Sequence, residues 1–265
     1  MSFDILGTGS RVPRKVVTND DLTEFLDTSD EWIYTRTGIR KRHVLTDETL
    51  LDLAVGSAEI ALEDAKTSPS EIGFVLAATM RGDTVTPSFA FCVAEKLGIA
   101  APAFDVNAAC VGVLYCMELA DSLISTGKAD KILIVSAEAM SKLVDWNDRA
   151  SCVLFGDGSG AMVVGKGEGR LAGILSGKPD SVSIRMPSFE GESRFNEIKA
   201  EKMVMHMDGQ EVYKFAVNAM GHEIENVCQK AGIEPAEVDW FLPHQANVRI
   251  VDACQKKFKI EKSKV

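Results

Sequence analysis

Two side chains in this sequence are placed to do covalent chemistry. Cys110 lies in DVNAACVG (105–112), where strand-forming residues give way to a helical pattern. The thiolate is the reactive form of cysteine, and a helix N-terminus stabilises it through its dipole and free N–H groups. A strand-to-helix turn also exposes the side chain it carries. The neighbours Ala108, Ala109 and Gly112 are small enough to let a substrate approach. The ordinary alternative for any cysteine is a buried core filler, which is the reading for Cys116, further along the apolar helix. His244 lies in FLPHQANVRI, after an apolar stretch that reads as a buried strand. Strand ends in α/β sheets line ligand crevices, and a cysteine acting with a histidine is a recurrent arrangement for covalent catalysis. His43, His206 and His222 have no comparable setting.

Other stretches could bind. Trp32 and Arg36 are four apart in SDEWIYTRTG, so a helix puts both on one face. A flat ring beside a guanidinium suits a nucleotide, and an amphipathic helix with a half-buried Trp explains the pair equally well. From 244 to 265 there are six basic residues, Arg249, Lys256, Lys257, Lys259, Lys262 and Lys264, against Asp252 and Glu261. A solvated helix face is one reading. A docking patch for an acidic partner is the other. FGDGSG (155–160) lacks the Lys-Ser/Thr of a phosphate loop and reads as a tight turn near the active site.

Alternating elements must position these groups. Strands are expected over 3–9, 73–79, 102–106, 131–138 and 161–167, and helices over 50–65, 88–98, 111–127 and 211–231. The pattern argues an α/β architecture. The helix after Cys110 is polar only on the stripe Glu118, Asp121, Ser122 and Ser125, so it is expected to run through the interior. SPSEIGFVLAAT (68–79) and EPAEVDWFLPHQ (234–245) share Pro, Glu, an aliphatic residue and an apolar run, each after an amphipathic helix. We read two related halves, 1–170 with the nucleophile and 171–265. The second is short, and the sequence is expected to be an incomplete rendering of a longer protein.

Composition narrows the function classes. With 265 residues and 46% hydrophobic content the chain can bury a large core. A formal charge of −10 argues against nucleic acid as a partner. No apolar run reaches membrane-span length, and MSFDILGTGSRVP does not read as a signal peptide. The six cysteines include no CxxC pair and histidines are few, which argues against zinc. Free thiols suit a reducing cytoplasm.

DVNAACVG, PHQANVRI, DTSDEWIYTRTGIRKRH (27–43) and DRASCVLFGDGSGA (148–161) together resemble β-ketoacyl-acyl carrier protein synthase III, the initiating condensing enzyme of type II fatty acid synthesis. The resemblance runs over nearly the whole chain. It implies the thiolase fold, a five-layered αβαβα arrangement of two similar halves, and a homodimer. It implies a Cys-His-Asn triad in which Cys110 carries the acyl group and His244 is the histidine, with the Asn falling after Val265. It implies acyl-CoA and malonyl-acyl carrier protein as substrates, with no metal or redox cofactor. Trp32 and Arg149 then hold the CoA adenine, with Arg36 near the phosphates and Asn247 also on the CoA. Gln245, Ala246, Asn247, Val248, Arg249, Lys256, Lys257 and Lys214 meet the carrier protein. Thr86 stands where many family members carry a large aromatic residue in the acyl pocket, so a roomier pocket is expected. A thiolase, a hydroxymethylglutaryl-CoA synthase or a non-catalytic acyl-CoA-binding protein are the alternatives.

Overall fold

The computed structural model describes residues 2–188, 195 and 201–265. In chain order the strands and helices are β1 (Ser2–Arg11), β2 (Lys15–Thr18), α1 (Asn19–Leu22), α2 (Asp30–Thr37), β3 (Lys41–Val44), α3 (Leu50–Asp64), β4 (Phe74–Ala78), α4 (Phe89–Leu97) and β5 (Ala103–Val106). They continue with α5 (Gly112–Ser125), β6 (Lys131–Ala139), β7 (Asp157–Gly167), β8 (Ile184–Arg185), β9 (His206–Met207), α6 (Gly209–Ala231) and α7 (Val248–Phe258). Two compact units result. One comprises residues 1–16, 43–139 and 156–175, the other residues 17–42, 140–155 and 176–265.

The first unit is built on a five-stranded sheet of order β1-β7-β6-β4-β5. β4 runs parallel to β5 and β6, and β7 is antiparallel to β6 and β1. Alternation along a strand sends side chains to opposite faces. Val75 and Ala77 of β4, with Leu133 and Val135 of β6, pack under α3 and α4. Leu76, Ala78, Ile132 and Ile134 pack against Cys116, Ala120 and Ile124 of α5. Both faces of β4 and β6 are therefore covered, which is why these strands read as nearly continuous apolar runs. β1 lies so close to α3 that a Cβ on Gly9 would overlap the Ser57 carbonyl oxygen and come within 2.7 Å of the Ala61 nitrogen.

Three sequence expectations change. FGDGSG is not a tight turn. Asp157–Gly160 are the first residues of β7, with Ser159 opposite both Arg11 and Ala137. Small residues suit this strand because α3 presses on it, and the Ser159 and Ser57 hydroxyls bond at 2.7 Å. Residues 238–243 form no strand, so His244 does not follow one. Trp240 is 69% and Leu242 87% exposed, and no strand among the described residues pairs with this stretch. The Phe241 N–H instead donates to the Lys264 carbonyl. α5 is not an interior helix either. Only Gly112, Cys116, Ala120 and Ile124 are buried, because the sheet covers a single stripe, and Leu114 is half-exposed. Its acidic residues Glu118 and Asp121 pair with Arg170.

The second unit holds α1, α2, the 140–155 segment, α6 and α7. Leu22, Leu26, Ile33, Val144, Cys152 and Val153 form its core, with Trp32 and Trp146 packed against them. Arg42 is buried and ties the parts together, donating to Asn19 Oδ1 at 2.8 Å and to the Val153 carbonyl at 3.1 Å. α6 is capped by Asp208, whose carboxylate accepts the Gln210 and Glu211 N–H groups, and ends at Gly232 with φ +72°. The two stretches compared in sequence share one local geometry. Lys66 (φ +49°), Ser68 and Glu71 correspond to Gly232, Glu234 and Glu237, in each case a left-handed residue followed by a 3-10 turn with a capping box.

Candidate active site

Cys110 stands beyond the C-terminal ends of the parallel strands. Ala78 is in register with Val106 on one side and Ser136 on the other, so β4 and β5 end together while β6 runs on to Ala139. Past β5 the chain turns at Asn107 and Ala108, and a 3-10 turn over Ala109–Val111 leads into α5. Ala109 adopts φ +46°. That left-handed backbone costs a residue with a Cβ roughly 1–2 kcal/mol, and such strain concentrates at functional sites. Gly112 allows the start of α5 to press on β4, since a Cβ there would sit 2.9 Å from the Ala78 Cβ. Of the six free cysteines Cys110 alone is exposed, and Cys116 is fully buried with its thiol pushed up to about 12. Cys110 and Cys116 therefore lie in different settings, one exposed at the elbow and one in the apolar core.

The thiol itself behaves differently from the expectation of a helix-stabilised thiolate. Partial shielding of its sulfur raises the Cys110 pKa, and the Glu138 charge raises it further. A backbone N–H acts in the opposite direction and is outweighed. Cys110 lies in the 3-10 turn just before Val111, the N-cap of α5, and shielding of the sulfur outweighs what that helix end supplies. At neutral pH the group rests as a thiol and needs a base.

Sequence reading missed Glu138. It lies near the end of β6, where its Oε1 accepts the Met80 N–H at 2.7 Å. Burial pushes its carboxyl up to about 7. The signal was available, because KILIVSAE ends an apolar strand on an acid, and strand ends line crevices in α/β proteins.

His244 belongs to the second unit, on the irregular segment before α7. Although the residue reaches solvent, shielding of the imidazole lowers its pKa from the ordinary value. The neutral, proton-accepting form therefore prevails at neutral pH. Gln245 and Ala246 follow, both exposed. Asn247 is the N-cap of α7, its Oδ1 accepting the Arg249 N–H at 2.9 Å. Val248 packs on Gly38, which ends α2 in the left-handed conformation at φ +79°. The Arg249 guanidinium donates to the Thr35 carbonyl at 3.3 Å. α7 is thus anchored on α2, the helix that carries Trp32 and Arg36.

Trp32 is the centre of a cationic cluster. The Arg36 guanidinium lies 4.5 Å from its ring centroid and that of Arg149 lies 5.1 Å away. Arg149 is held by Asp27, through its backbone carbonyl and its carboxylate. On α7, Lys257 pairs with Glu225 at 3.0 Å, while Lys256 makes no ion pair among the described residues. Lys214 of α6 pairs with Glu211 at 2.7 Å. Thr86 is exposed on the loop between β4 and α4. The second unit thus gathers Trp32, Arg36, Arg149 and Arg249, and the first presents Cys110 with Glu138. No group of three or more His, Cys, Asp or Glu side chains among the described residues could hold a metal ion.

Known proteins share this sequence and fold. The family model for 3-oxoacyl-[acyl-carrier-protein] synthase III matches residues 104–181, and the model for its C-terminal region matches residues 228–265. The β-ketoacyl-[acyl-carrier-protein] synthase III of Aquifex aeolicus is 42% identical over 268 residues, covering 100% of this chain and 83% of that protein. That of Clostridium acetobutylicum is 39% identical over 268 residues, covering 99% and 82%. The crystal structure of the Thermus thermophilus synthase III superposes with a TM-score of 0.90 at 39% identity, covering 98% of this chain and 82% of that one.

Proposed function

The chain belongs to the 3-oxoacyl-[acyl-carrier-protein] synthase III family, and on that premise we propose that Cys110 carries the acyl group and His244 handles protons in its condensing reaction. The protein is a condensing acyltransferase of the thiolase fold that initiates fatty acid synthesis. Its substrates are an acyl-CoA primer and malonyl-acyl carrier protein.

The observation that carries the residue assignment is the exposed Cys110 on a left-handed elbow at the strand ends. His244, neutral at working pH, takes the thiol proton. The Cys110 sulfur attacks the thioester carbonyl, and the bond to the CoA sulfur breaks. CoA leaves as the thiol with the proton from His244. Backbone N–H groups at the elbow are suited to the intermediate oxyanion. Malonyl-acyl carrier protein then loses CO₂, and the electrons of the broken C–C bond become an enolate stabilised by a hydrogen bond from His244. The enolate carbon attacks the acyl thioester, giving 3-oxoacyl-acyl carrier protein. Cys110 leaves as thiolate and regains a proton. Atoms and electrons balance without a metal or redox group.

Trp32 and Arg149 take the CoA adenine, Arg36 its phosphates, and Asn247 bears on the CoA through its position at the start of α7. Gln245, Ala246, Val248, Arg249, Lys256, Lys257 and Lys214 form the surface for the acidic carrier protein. Thr86 borders the acyl pocket. The working form is a homodimer in the cytoplasm. Support for the dimer comes from β5, which is an edge strand among the described residues, and from Phe104 on it and Phe91 beside it, 38% and 52% exposed. An exposed edge with large apolar side chains invites pairing with a second copy.

Incubation with acetyl-CoA and malonyl-acyl carrier protein tests the reading. Release of CO₂ with formation of 3-oxoacyl-acyl carrier protein, both lost in Cys110→Ala, supports it. Absence of the 3-oxoacyl product with both substrates present contradicts it.

A further inference from the structure

We propose that Glu138 is a positioning residue for Cys110, pinning the strand ends on which the nucleophile elbow rests and presenting a carboxylate to the thiol; the inference rests on Cys110 being the acyl carrier. The Met80 N–H donates to Glu138 Oε1 at 2.7 Å. The Met80 carbonyl in turn accepts from the Asn107 amide at 3.5 Å, three residues before Cys110. The Ala78 side chain, two residues before Met80, meets Gly112 at the start of α5. One carboxylate oxygen thus connects β6, the end of β4 and both sides of the elbow.

The second oxygen is unusual. Glu138 Oε2 is buried without a hydrogen-bond partner among the described residues. A buried carboxylate oxygen without a partner is costly and calls for an explanation. Among the described residues, burial and the Met80 N–H are what act on the Glu138 carboxyl. Asp105 of β5 is committed to capping α4 through the Phe89 and Ala90 N–H groups. Opposite Glu138 in register on β7 is Gly158. Among the described residues, Glu138 is the one charged side chain that acts on the Cys110 thiol.

A like charge beside a nucleophile has a definite consequence. It raises the energy of the free thiolate and leaves the neutral thiol and neutral thioester almost untouched. Once ionised, Glu138 adds to the shielding that keeps Cys110 protonated until a base removes the proton, and it favours the acyl-enzyme over the free thiolate. It does so without touching substrate, so it is not a catalytic residue.

The test uses Glu138→Gln and Glu138→Asp in the full chain. Gln keeps a carbonyl oxygen for the Met80 N–H and removes the charge; Asp keeps the charge. The probe is iodoacetamide, with alkylation at Cys110 followed against pH by peptide mass. The expected result is a profile displaced to lower pH in Glu138→Gln and close to the parent's in Glu138→Asp. A Glu138→Gln profile that coincides with the parent's overturns the proposal. So does an equal displacement in both variants, since that traces to packing and not to charge. Should Glu138→Gln fail to fold, Glu138→Asp decides: a profile displaced from the parent's overturns the proposal, and one that stays with the parent supports it. Acylation of the parent by acetyl-CoA is measured alongside. If the parent is not acylated, the nucleophile assignment fails; if it is acylated and the profiles coincide, only the role of Glu138 fails.

Discussion

The Arg149 guanidinium lies over the Trp32 ring, 5.1 Å from its centroid. A flat base between two stacking partners needs a contact distance of roughly 3.5 Å on each side, so the pair must open to admit an adenine. Arg149 is the side able to move. Its side chain is about half-exposed and, besides the Trp32 ring, is bonded to Asp27, whereas Trp32 is packed on the buried cluster around Ile33 and Val153.

CoA affinity should therefore depend on both residues, with different consequences for stability. Base–aromatic stacking contributes about 1–3 kcal/mol. Trp32→Ala is expected to raise the KM for acyl-CoA roughly tenfold or more and to lower Tm, because it also opens the core. Arg149→Ala is expected to raise KM with Tm unchanged. Steady-state kinetics at fixed malonyl-acyl carrier protein, paired with thermal melts, separates the two. An unchanged KM in both variants removes the adenine assignment.

The acid limb of acylation should lie below the usual histidine range. His244 must be neutral to accept the thiol proton, and shielding lowers its pKa below that of an ordinary histidine. A lowered pKa keeps the base active to more acidic pH, and activity is lost as pH falls through that value. Single-turnover acylation measured from pH 4 to 9 is expected to fall off with a midpoint below the ordinary histidine value of about 6.5. A fall centred above that value contradicts the assignment, as does an unaltered profile in His244→Ala.

Primer choice is expected to follow the side chain at 86. Thr86→Phe should shorten the accepted chain, because each methylene gained or lost in an apolar pocket changes kcat/KM by about 10–200-fold. Competition among acyl-CoAs of increasing length reads this directly. Equal ratios in parent and variant would place Thr86 outside the pocket.

Gly9→Ala probes the scaffold apart from the chemistry. The new Cβ would overlap the Ser57 carbonyl and force β1 away from α3. Overpacking of this kind costs about 1–3 kcal/mol, to be read from denaturant midpoints. A variant as stable as the parent would show that β1 and α3 pack less closely than described.

Much of this was legible in residue patterns, and the misreadings share a cause. β4, β6 and α3 match their expected spans closely, because local signals and burial agree there: apolar runs for strands covered on both faces, and a Thr49–Asp52 capping box at the start of α3. FGDGSG has the composition of a turn, yet neighbouring strands on both sides recruit it into β7. VDWFL has the composition of a strand, yet no described strand pairs with it. In both stretches the deciding fact is the partner across the sheet, which composition does not encode. Cys110 was visible because its elbow is local. Glu138 carried only the weak signal of an acid ending an apolar strand, and its bond to Met80, distant in sequence and just past the end of β4, is not encoded locally.

The most direct test of the account is intact-protein mass spectrometry after incubation with acetyl-CoA alone. The account predicts a mass gain of one acetyl group, located by peptide mapping at Cys110, absent in Cys110→Ala and retained in Cys116→Ala. No gain, or a gain that persists in Cys110→Ala, would contradict it.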